Sequence, residues 1–183
     1  MKELPKHLGG HANITHKDEA TLHFLISNFK IKSFCDVGCG PGGMVTMAES
    51  KGLKSIGIDG DFTLNYPSQS IIIVHDFTTG PLEVRGQDLC WCCEFLEHVE
   101  EKYMDNYFSV FKNSKYVFCT FSLSRGGHHH VNVKDQQYWD EEFRKRHFIK
   151  DIESTEKIRQ ISSMSRDFVR LTGTLYINKN IAI

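Results

Sequence analysis

The chain has 183 residues, of which 40% are hydrophobic and 25% are charged, and its formal net charge is -1. This length suits one well-buried domain in the ordinary globular range of composition. The near-zero charge argues against nucleic acid as a partner, because proteins that bind it usually carry a basic stripe. The sequence shows no apolar core of a signal peptide and no run of membrane-spanning length, so we expect a cytoplasmic protein without a membrane partner.

The six cysteines stand mostly inside apolar segments, which predicts buried, reduced thiols. Cys92 and Cys93 lie next to Trp91 in one of these segments. We expect them to pack in the core rather than to act as a nucleophile or to bind zinc.

Short apolar runs alternate along the chain with amphipathic stretches. The apolar runs predict six strands, over 33–38, 54–59, 70–77, 87–95, 114–122 and 173–179. Helical spacing predicts helices over 18–29, 42–52, 97–112, 135–148 and 152–171. Thr15 is a candidate cap for the first helix, Gly52 ends the second, and a break is expected near Ser163. Alternation of this kind predicts βαβ units, hence one α/β domain with a mostly parallel sheet flanked by helices.

The stretch "FCDVGCGPGG" places four glycines between the first strand and the second helix. Glycine lets a ligand approach the backbone, and a helix N-terminus offers free N–H groups. Gly38, Gly40 and Gly43 fit the dinucleotide fingerprint, and Asp59 stands about twenty residues on, where an acid binds ribose. These features fit NAD, but any ligand that carries a ribose needs the same acid, and a glycine-rich turn without a ligand is a further alternative.

Four stretches together resemble the motifs of class I S-adenosylmethionine-dependent methyltransferases. "DVGCGPGG" is similar to their first motif, and "IGIDGD" to the second, which supplies the acid for the ribose. "VHDF" resembles the third, in which an acid reaches the adenine amino group and an aromatic ring packs on the base. "WCCEFLEHV" resembles the motif after strand four in many small-molecule and glycan methyltransferases. The resemblance implies cofactor contacts from Asp36, Gly38, Gly40, Gly42, Asp59, Gly60, Asp76, Phe77 and Glu94.

This family resemblance implies a Rossmann-like class I methyltransferase fold over 1–183, with S-adenosylmethionine as cofactor and S-adenosylhomocysteine as product. The expected acceptor is a small molecule or a sugar, methylated at oxygen. The words "LPKHLGGH", "GHHHVN" and "YW" also resemble small methyltransferases of bacteriophages and other viruses, which would place the protein in a host cytoplasm. An NAD-dependent oxidoreductase, a non-catalytic S-adenosylmethionine-binding module, and an RNA or protein methyltransferase remain as alternatives.

Histidines supply the candidate catalytic groups. His98 follows the fourth motif, and the run of His128, His129 and His130 follows the fifth strand, at the edge where ligands bind. An imidazole titrates near neutrality, so a general base or a substrate contact is expected here. No metal site is predicted, because adjacent residues of an extended loop point in different directions. The arm over 1–30, with His11 and His16, is a candidate lid hinged at "LGGH".

Overall fold

The computed structural model describes residues 3–181, so the first two residues of the predicted arm lie outside this description. The strands are β1 (Ser33–Val37), β2 (Lys54–Asp59), β3 (Ile71–Val74), β4 (Gln87–Cys92), β5 (Ser114–Cys119), β6 (Phe148–Lys150) and β7 (Thr174–Asn178). The helices are α1 (Glu19–Phe29), α2 (Gly43–Ser50), α3 (Met104–Phe111), α4 (Gln136–Lys145), α5 (Ile152–Ile161) and α6 (Phe168–Thr172). Short 3₁₀ turns cover Leu96–His98 and Glu101–Tyr103.

The seven strands form one sheet in the order β3-β2-β1-β4-β5-β7-β6. Strands β1 to β5 run parallel, and β7 is antiparallel to both β5 and β6. The chain moves outward from β1 to β3 and then returns to the other side of β1 at β4. The switch point between β1 and β4 is where ligands bind in open α/β sheets. The mostly parallel, Rossmann-like sheet confirms the fold predicted from the sequence.

Two apolar layers cover the faces of this sheet. Alternation along β1 sends Phe34 to one layer and Cys35 to the other. One layer joins the strands to α3 and α4 through rings such as Phe108 and Phe143, and the other joins them to α1, α2, α5 and α6. Every cysteine is a free thiol, as predicted, and all but Cys93 are buried. None of the helices within residues 3–181 is long and apolar enough to span a membrane.

The largest difference from the predicted elements lies between β4 and α3. A single helix over 97–112 was the expectation, but the chain makes two 3₁₀ turns and becomes α-helical only at Met104. The carbonyl oxygen of Glu97 explains this difference, because it accepts the N–H groups of Val131 and Asn132 at 2.9 and 3.0 Å. A carbonyl used in this way is not free for an α-helical bond, so the prediction was wrong at this point.

Two smaller predictions are corrected, and one is confirmed. The helix predicted over 135–148 ends at Lys145, and Phe148 begins the short strand β6, which the sequence did not predict. The predicted helix over 152–171 is two helices, with the break where it was expected. Thr15 does not cap α1; the side chain of Asp18 accepts from the Thr21 N–H and does so instead. The Thr15 hydroxyl accepts the Gly43 N–H at 3.1 Å and thereby caps α2.

Candidate active site

A cavity of about 580 Å³ opens at the carboxyl ends of the parallel strands. Its walls come from the loops after β1, β2, β3, β4 and β5, and from a segment upstream of α1 that crosses the opening. We call this segment, residues 3–17, the strap. The volume lies in the range of small-molecule sites, and the position is that of the switch point.

The loop after β1 is held by backbone hydrogen bonds. The N–H groups of Gly38 and Cys39 donate to the carbonyl of Ile58 at 2.9 and 3.1 Å, and the Gly40 N–H donates to Asp59 Oδ2 at 2.7 Å. Gly38 has φ of 74°, and a Cβ there would lie 2.5 Å from the ring of Phe95. The loop therefore needs glycine at this point both for its backbone angle and for space.

The acids at the ends of β1 and β2 lie beside one another. Burial, and then the nearby Asp59 carboxylate, raise the pKa of Asp36 well above its ordinary value. Asp59 Oδ1 accepts the N–H of Asp61 at 2.9 Å. Each Asp59 oxygen therefore accepts one backbone N–H and keeps a second lone pair. Gly60 lies against Leu8 of the strap, where a Cβ would lie 2.6 Å from the leucine side chain. Asp36, Asp59 and Gly60 all line the cavity.

Asp76 and Phe77 follow β3 on the same side of the cavity. The Asp76 carboxylate accepts the Thr78 N–H and hydroxyl and the His7 Nε2–H, the last at 2.8 Å. Burial would raise the pKa of Asp76, but these hydrogen bonds leave it below its ordinary value. Phe77 is only 4% exposed and packs edge-on against His75 and Phe95. Both residues line the cavity.

Gly42 and His129 are the predicted site residues that do not line the cavity. Gly42 is the N-cap of α2 in the left-handed region, and a Cβ there would lie 3.5 Å from Ile72 and Pro67. The ring of His129 packs 5.9 Å from that of His7, at the outer surface of the strap. Gly38, Gly40 and the other predicted cofactor residues stand around the cavity, as do His98, His128 and His130.

Two glutamates lie close together after β4. Glu94 has φ of 50°, which is uncommon outside glycine, and its carboxylate accepts the Thr120 hydroxyl at 2.8 Å. Glu97 is completely buried, and burial and then the Glu94 charge raise its pKa well above the ordinary value. The backbone N–H groups of Glu97 and Ser122 and the carboxyl group of Glu94 approach its carboxyl group, but within residues 3–181 neither oxygen makes a hydrogen bond of good geometry.

Histidines complete this side of the cavity. The rings of His98 and His130 lie 4.8 Å apart and nearly perpendicular. Burial, and then the neighbouring His130, lower the pKa of His98 to about 4. His130 Nδ1–H donates to the Ser124 carbonyl at 2.5 Å, and His128 Nε2–H donates to the Leu8 carbonyl at 2.8 Å. At neutral pH, His98 is therefore uncharged and keeps a free lone pair.

The strap contacts the loops around the cavity one after another. Its His7 reaches Asp76, and its His11 reaches Asp61 at 3.1 Å. Thr15 reaches α2, and the carbonyl of Leu8 reaches the histidine run. The strap thus closes one side of the cavity, and His11 and His16 both line it.

The sequence reading left several lining residues out, among them His7, His75, Phe95 and Glu97. Glu97 lies inside the fourth motif, directly before His98, and this position could have identified it as a site residue. His75 precedes the third motif directly. His7 gave no local signal, because its role depends on how the strap folds back onto β3.

Comparison with known proteins identifies the fold. No family model matches the chain, and no curated protein matches it. Among solved structures, the magnesium protoporphyrin IX methyltransferase of Synechocystis PCC 6803, with bound S-adenosylmethionine, superimposes with a TM-score of 0.57 at 13% identity, over 88% of this chain and 77% of that one. The methyltransferase domain of bacterial CtHen1 gives 0.53 at 14%, over 86% and 94%. The chain has the Rossmann-like class I methyltransferase fold.

A third similar structure is phosphoethanolamine N-methyltransferase 2 of Haemonchus contortus, in complex with phosphomonomethylethanolamine and S-adenosylhomocysteine. It gives a TM-score of 0.57 at 16% identity, over 86% of this chain and 52% of that one. The porphyrin enzyme was also crystallised with S-adenosylhomocysteine. These similar structures have different methyl acceptors, so the fold by itself does not name one.

Proposed function

We propose that this chain binds S-adenosylmethionine and transfers its methyl group to a hydroxyl oxygen of a small molecule or a sugar. The observation that carries the proposal is the arrangement of Gly38–Gly40, Asp59 and Asp76 along one side of a single cavity. The glycine loop would offer bare backbone to the methionine part, Asp59 would bind the ribose, and Asp76 would bind the adenine. This is the order in which the three parts follow one another in the ligand. Similar folds holding the cofactor or its product support this assignment.

Methyl transfer to oxygen requires in-line positioning of the acceptor and a place for its proton. The acceptor would lie on the side of Glu94, Glu97 and His98, across the cavity from the cofactor acids. With a pKa of about 4, His98 is a weak base and is poorly suited to remove the proton of the hydroxyl. Enclosure by the strap favours a small acceptor over a polymer, and an RNA or protein acceptor is the variant.

The first alternative, an NAD-dependent oxidoreductase, shares the glycine loop and the ribose acid. Its classic sheet has six parallel strands in the order 3-2-1-4-5-6. Here the antiparallel strand β7 is inserted between β5 and β6. This difference, together with the third and fourth motifs, favours methyl transfer. The second alternative is a non-catalytic module that binds S-adenosylmethionine at the same cavity.

Calorimetric titration separates the first two functions. We expect S-adenosylmethionine and S-adenosylhomocysteine to bind at one site per chain, and NAD to give no heat. Binding of NAD without binding of S-adenosylmethionine would overturn the proposal. A screen of hydroxylated small molecules and sugars, scored by release of S-adenosylhomocysteine, then distinguishes an enzyme from a binding module.

We propose further that the strap is the lid predicted from the sequence. Two of its three histidines, His7 and His11, bind Asp76 and Asp61, which flank the positions expected for the adenine and the ribose. A lid that is attached to the cofactor loops closes when the cofactor orders them and excludes water from the reaction. The narrower resemblance to viral methyltransferases and a cytoplasmic location stay predictions.

A further inference from the structure

Glu97, His98 and His130 offer a second kind of site within the cavity. One carboxylate oxygen and one nitrogen from each imidazole lie within 4.8 Å of one another. Donor atoms that bind one ion at about 2.1 Å are up to about 4.2 Å apart, so small side-chain movements would bring these three onto a common ion. Glu94 stands next to Glu97 as a neighbouring carboxylate.

The state of Glu97 is the observation that points to a ligand. It is 0% exposed, and its nearest ion-pair contact in the described part of the chain is His98 Nε2 at 4.0 Å. Buried polar groups are normally hydrogen-bonded, and a buried carboxylate is normally paired or bound to a metal. Glu97 is therefore a buried acidic group without a well-formed hydrogen bond, and it lies beside two imidazoles with which it could share a cation.

The two histidines are arranged as metal ligands usually are. His130 donates from Nδ1 to the Ser124 carbonyl, which leaves Nε2 with its lone pair. Ligating histidines commonly use their other nitrogen in this way, and the bond fixes the ring. Gly127 packs against this edge of the ring, where a Cβ would lie 2.0 Å from Nε2, so the ring can take this position only because residue 127 is glycine. His98 turns Nε2 towards Glu97.

The loop that carries His130 is held against Glu97. The Glu97 carbonyl accepts the N–H groups of Val131 and Asn132. Backbone hydrogen bonds therefore hold the loop of His130 next to Glu97, although the two residues are far apart in the sequence. The site is built into the connection between the β4 and β5 loops.

We propose that Glu97, His98 and His130, with Glu94 beside them, bind a divalent transition-metal ion. Carboxylates suit Mn²⁺ and imidazoles suit Zn²⁺ and Fe²⁺, so a mixed set selects ions of this class over Mg²⁺, which prefers oxygen ligands alone. The sequence reading predicted no metal, because it considered the adjacent histidines as one set. The structure instead takes one histidine from the run and joins it to the fourth motif.

The ion would also give the transfer reaction its missing proton step, and this part rests on the proposed function. A hydroxyl bound to a divalent ion loses its proton near neutral pH more readily than a free one. If the ion and the cofactor are bound, this oxygen would form its bond to the methyl carbon while the S–CH₃ electrons return to sulfur, and the proton would leave to solvent. The products are the methyl ether and S-adenosylhomocysteine.

The test uses the full chain after dialysis against a chelator, with Mn²⁺ as the probe followed by electron paramagnetic resonance and calorimetry, and Zn²⁺ as a competitor. We expect one Mn²⁺ per chain, displaced by Zn²⁺, and weaker competition by Mg²⁺. Glu97→Gln and His130→Asn should each weaken Mn²⁺ binding by roughly 10- to 100-fold or more. His129→Asn is the matched control, because His129 is next to His130 in the sequence but does not line the cavity. This variant should bind Mn²⁺ as the parent does.

No binding of Mn²⁺ or Zn²⁺ at millimolar concentration would overturn the proposal, as would binding that both Glu97→Gln and His130→Asn leave unchanged. Circular dichroism melts show whether each variant folds; His130 lies on a loop, so its variant keeps the test valid if Glu97→Gln does not fold. S-adenosylmethionine binding is measured on the same samples. Metal binding without cofactor binding would refute the proposed function alone, and cofactor binding without metal binding would refute this inference alone.

Discussion

The two sides of the cavity differ in how their polar groups are paired. On the side proposed for the cofactor, Asp59, Asp61 and Asp76 each accept hydrogen bonds from neighbouring backbone or side chains. On the side proposed for the acceptor, Glu97 makes no well-formed hydrogen bond in the described chain, and Glu94 has a positive φ. The first side is preorganised by hydrogen bonds of the chain itself. The second side has backbone strain and a buried carboxyl group without a well-formed hydrogen bond, which favours a ligand that completes it.

The largest effect is expected from Gly38→Ala, where the loop after β1 packs against Phe95 from the loop after β4. The left-handed backbone and the clash with Phe95 should together lower the free energy of unfolding by about 2–4 kcal/mol. Gly52→Ala is the control, because Gly52 has φ of 84° and open space around its Cβ position, and it should cost only about 1–2 kcal/mol. Urea unfolding measures both variants, and equal losses would show that the tight contact with Phe95 is not real.

A pair of buried carboxylates tests the difference in pairing directly. Asp61→Ala removes the acceptor for Thr63 and His11 and should lower the unfolding free energy by about 1–3 kcal/mol. Glu97→Met in metal-free protein should raise it by about 1–2 kcal/mol, because an apolar side chain of similar size replaces an unpaired buried carboxylate. If both variants lose stability alike, then Glu97 has partners that the structure does not show.

The strap should contribute less to cofactor binding than the acids themselves. His11→Ala removes the hydrogen bond to Asp61 and should weaken S-adenosylmethionine binding by about 0.5–1.5 kcal/mol, read by calorimetry. His23→Ala, at an exposed histidine on α1, is the control and should leave the affinity unchanged. A His11 variant that binds as tightly as the parent would make the strap a surface arm and not a lid.

The smallest expected effect is the loss of the Asp61 contribution to stability at acidic pH. Burial would raise the pKa of Asp61, but hydrogen bonds from Thr63 and His11 leave it below the ordinary 3.8. A carboxyl whose pKa is lowered by folding stabilises the protein above its unfolded pKa and loses that contribution as the pH falls through the folded pKa. The stability difference between the parent and Asp61→Ala should therefore shrink from about pH 6 to about pH 3. If the stability difference between the two proteins stays constant with pH, then the hydrogen bonds to Asp61 do not depend on its ionised form.

The sequence predicted the positions of the residues on the proposed cofactor side better than those on the proposed acceptor side, and the reason is physical. The glycine loop, Asp59 and Asp76 follow directly from strand ends, and parallel strands place their carboxyl ends together whatever the details of packing. The position of Glu97 depends on a non-local bond from Val131 to its carbonyl, which also breaks the helix predicted over 97–112. The strap contacts are equally non-local, since His7 and Asp76 are 69 residues apart. The strand β6 is only three residues long, and its first residue, Phe148, falls at the end of the helix predicted over 135–148, so no separate strand was predicted.

The most direct test is one calorimetric titration of S-adenosylmethionine into the parent chain, Asp59→Ala and Glu97→Gln. The account predicts that the parent binds one equivalent, that Asp59→Ala loses about 1–3 kcal/mol of binding free energy, and that Glu97→Gln binds as the parent does. Loss of affinity in Glu97→Gln with none in Asp59→Ala would contradict the division of the cavity into a cofactor side and an acceptor side. Absence of binding to the parent chain would contradict the proposed function itself.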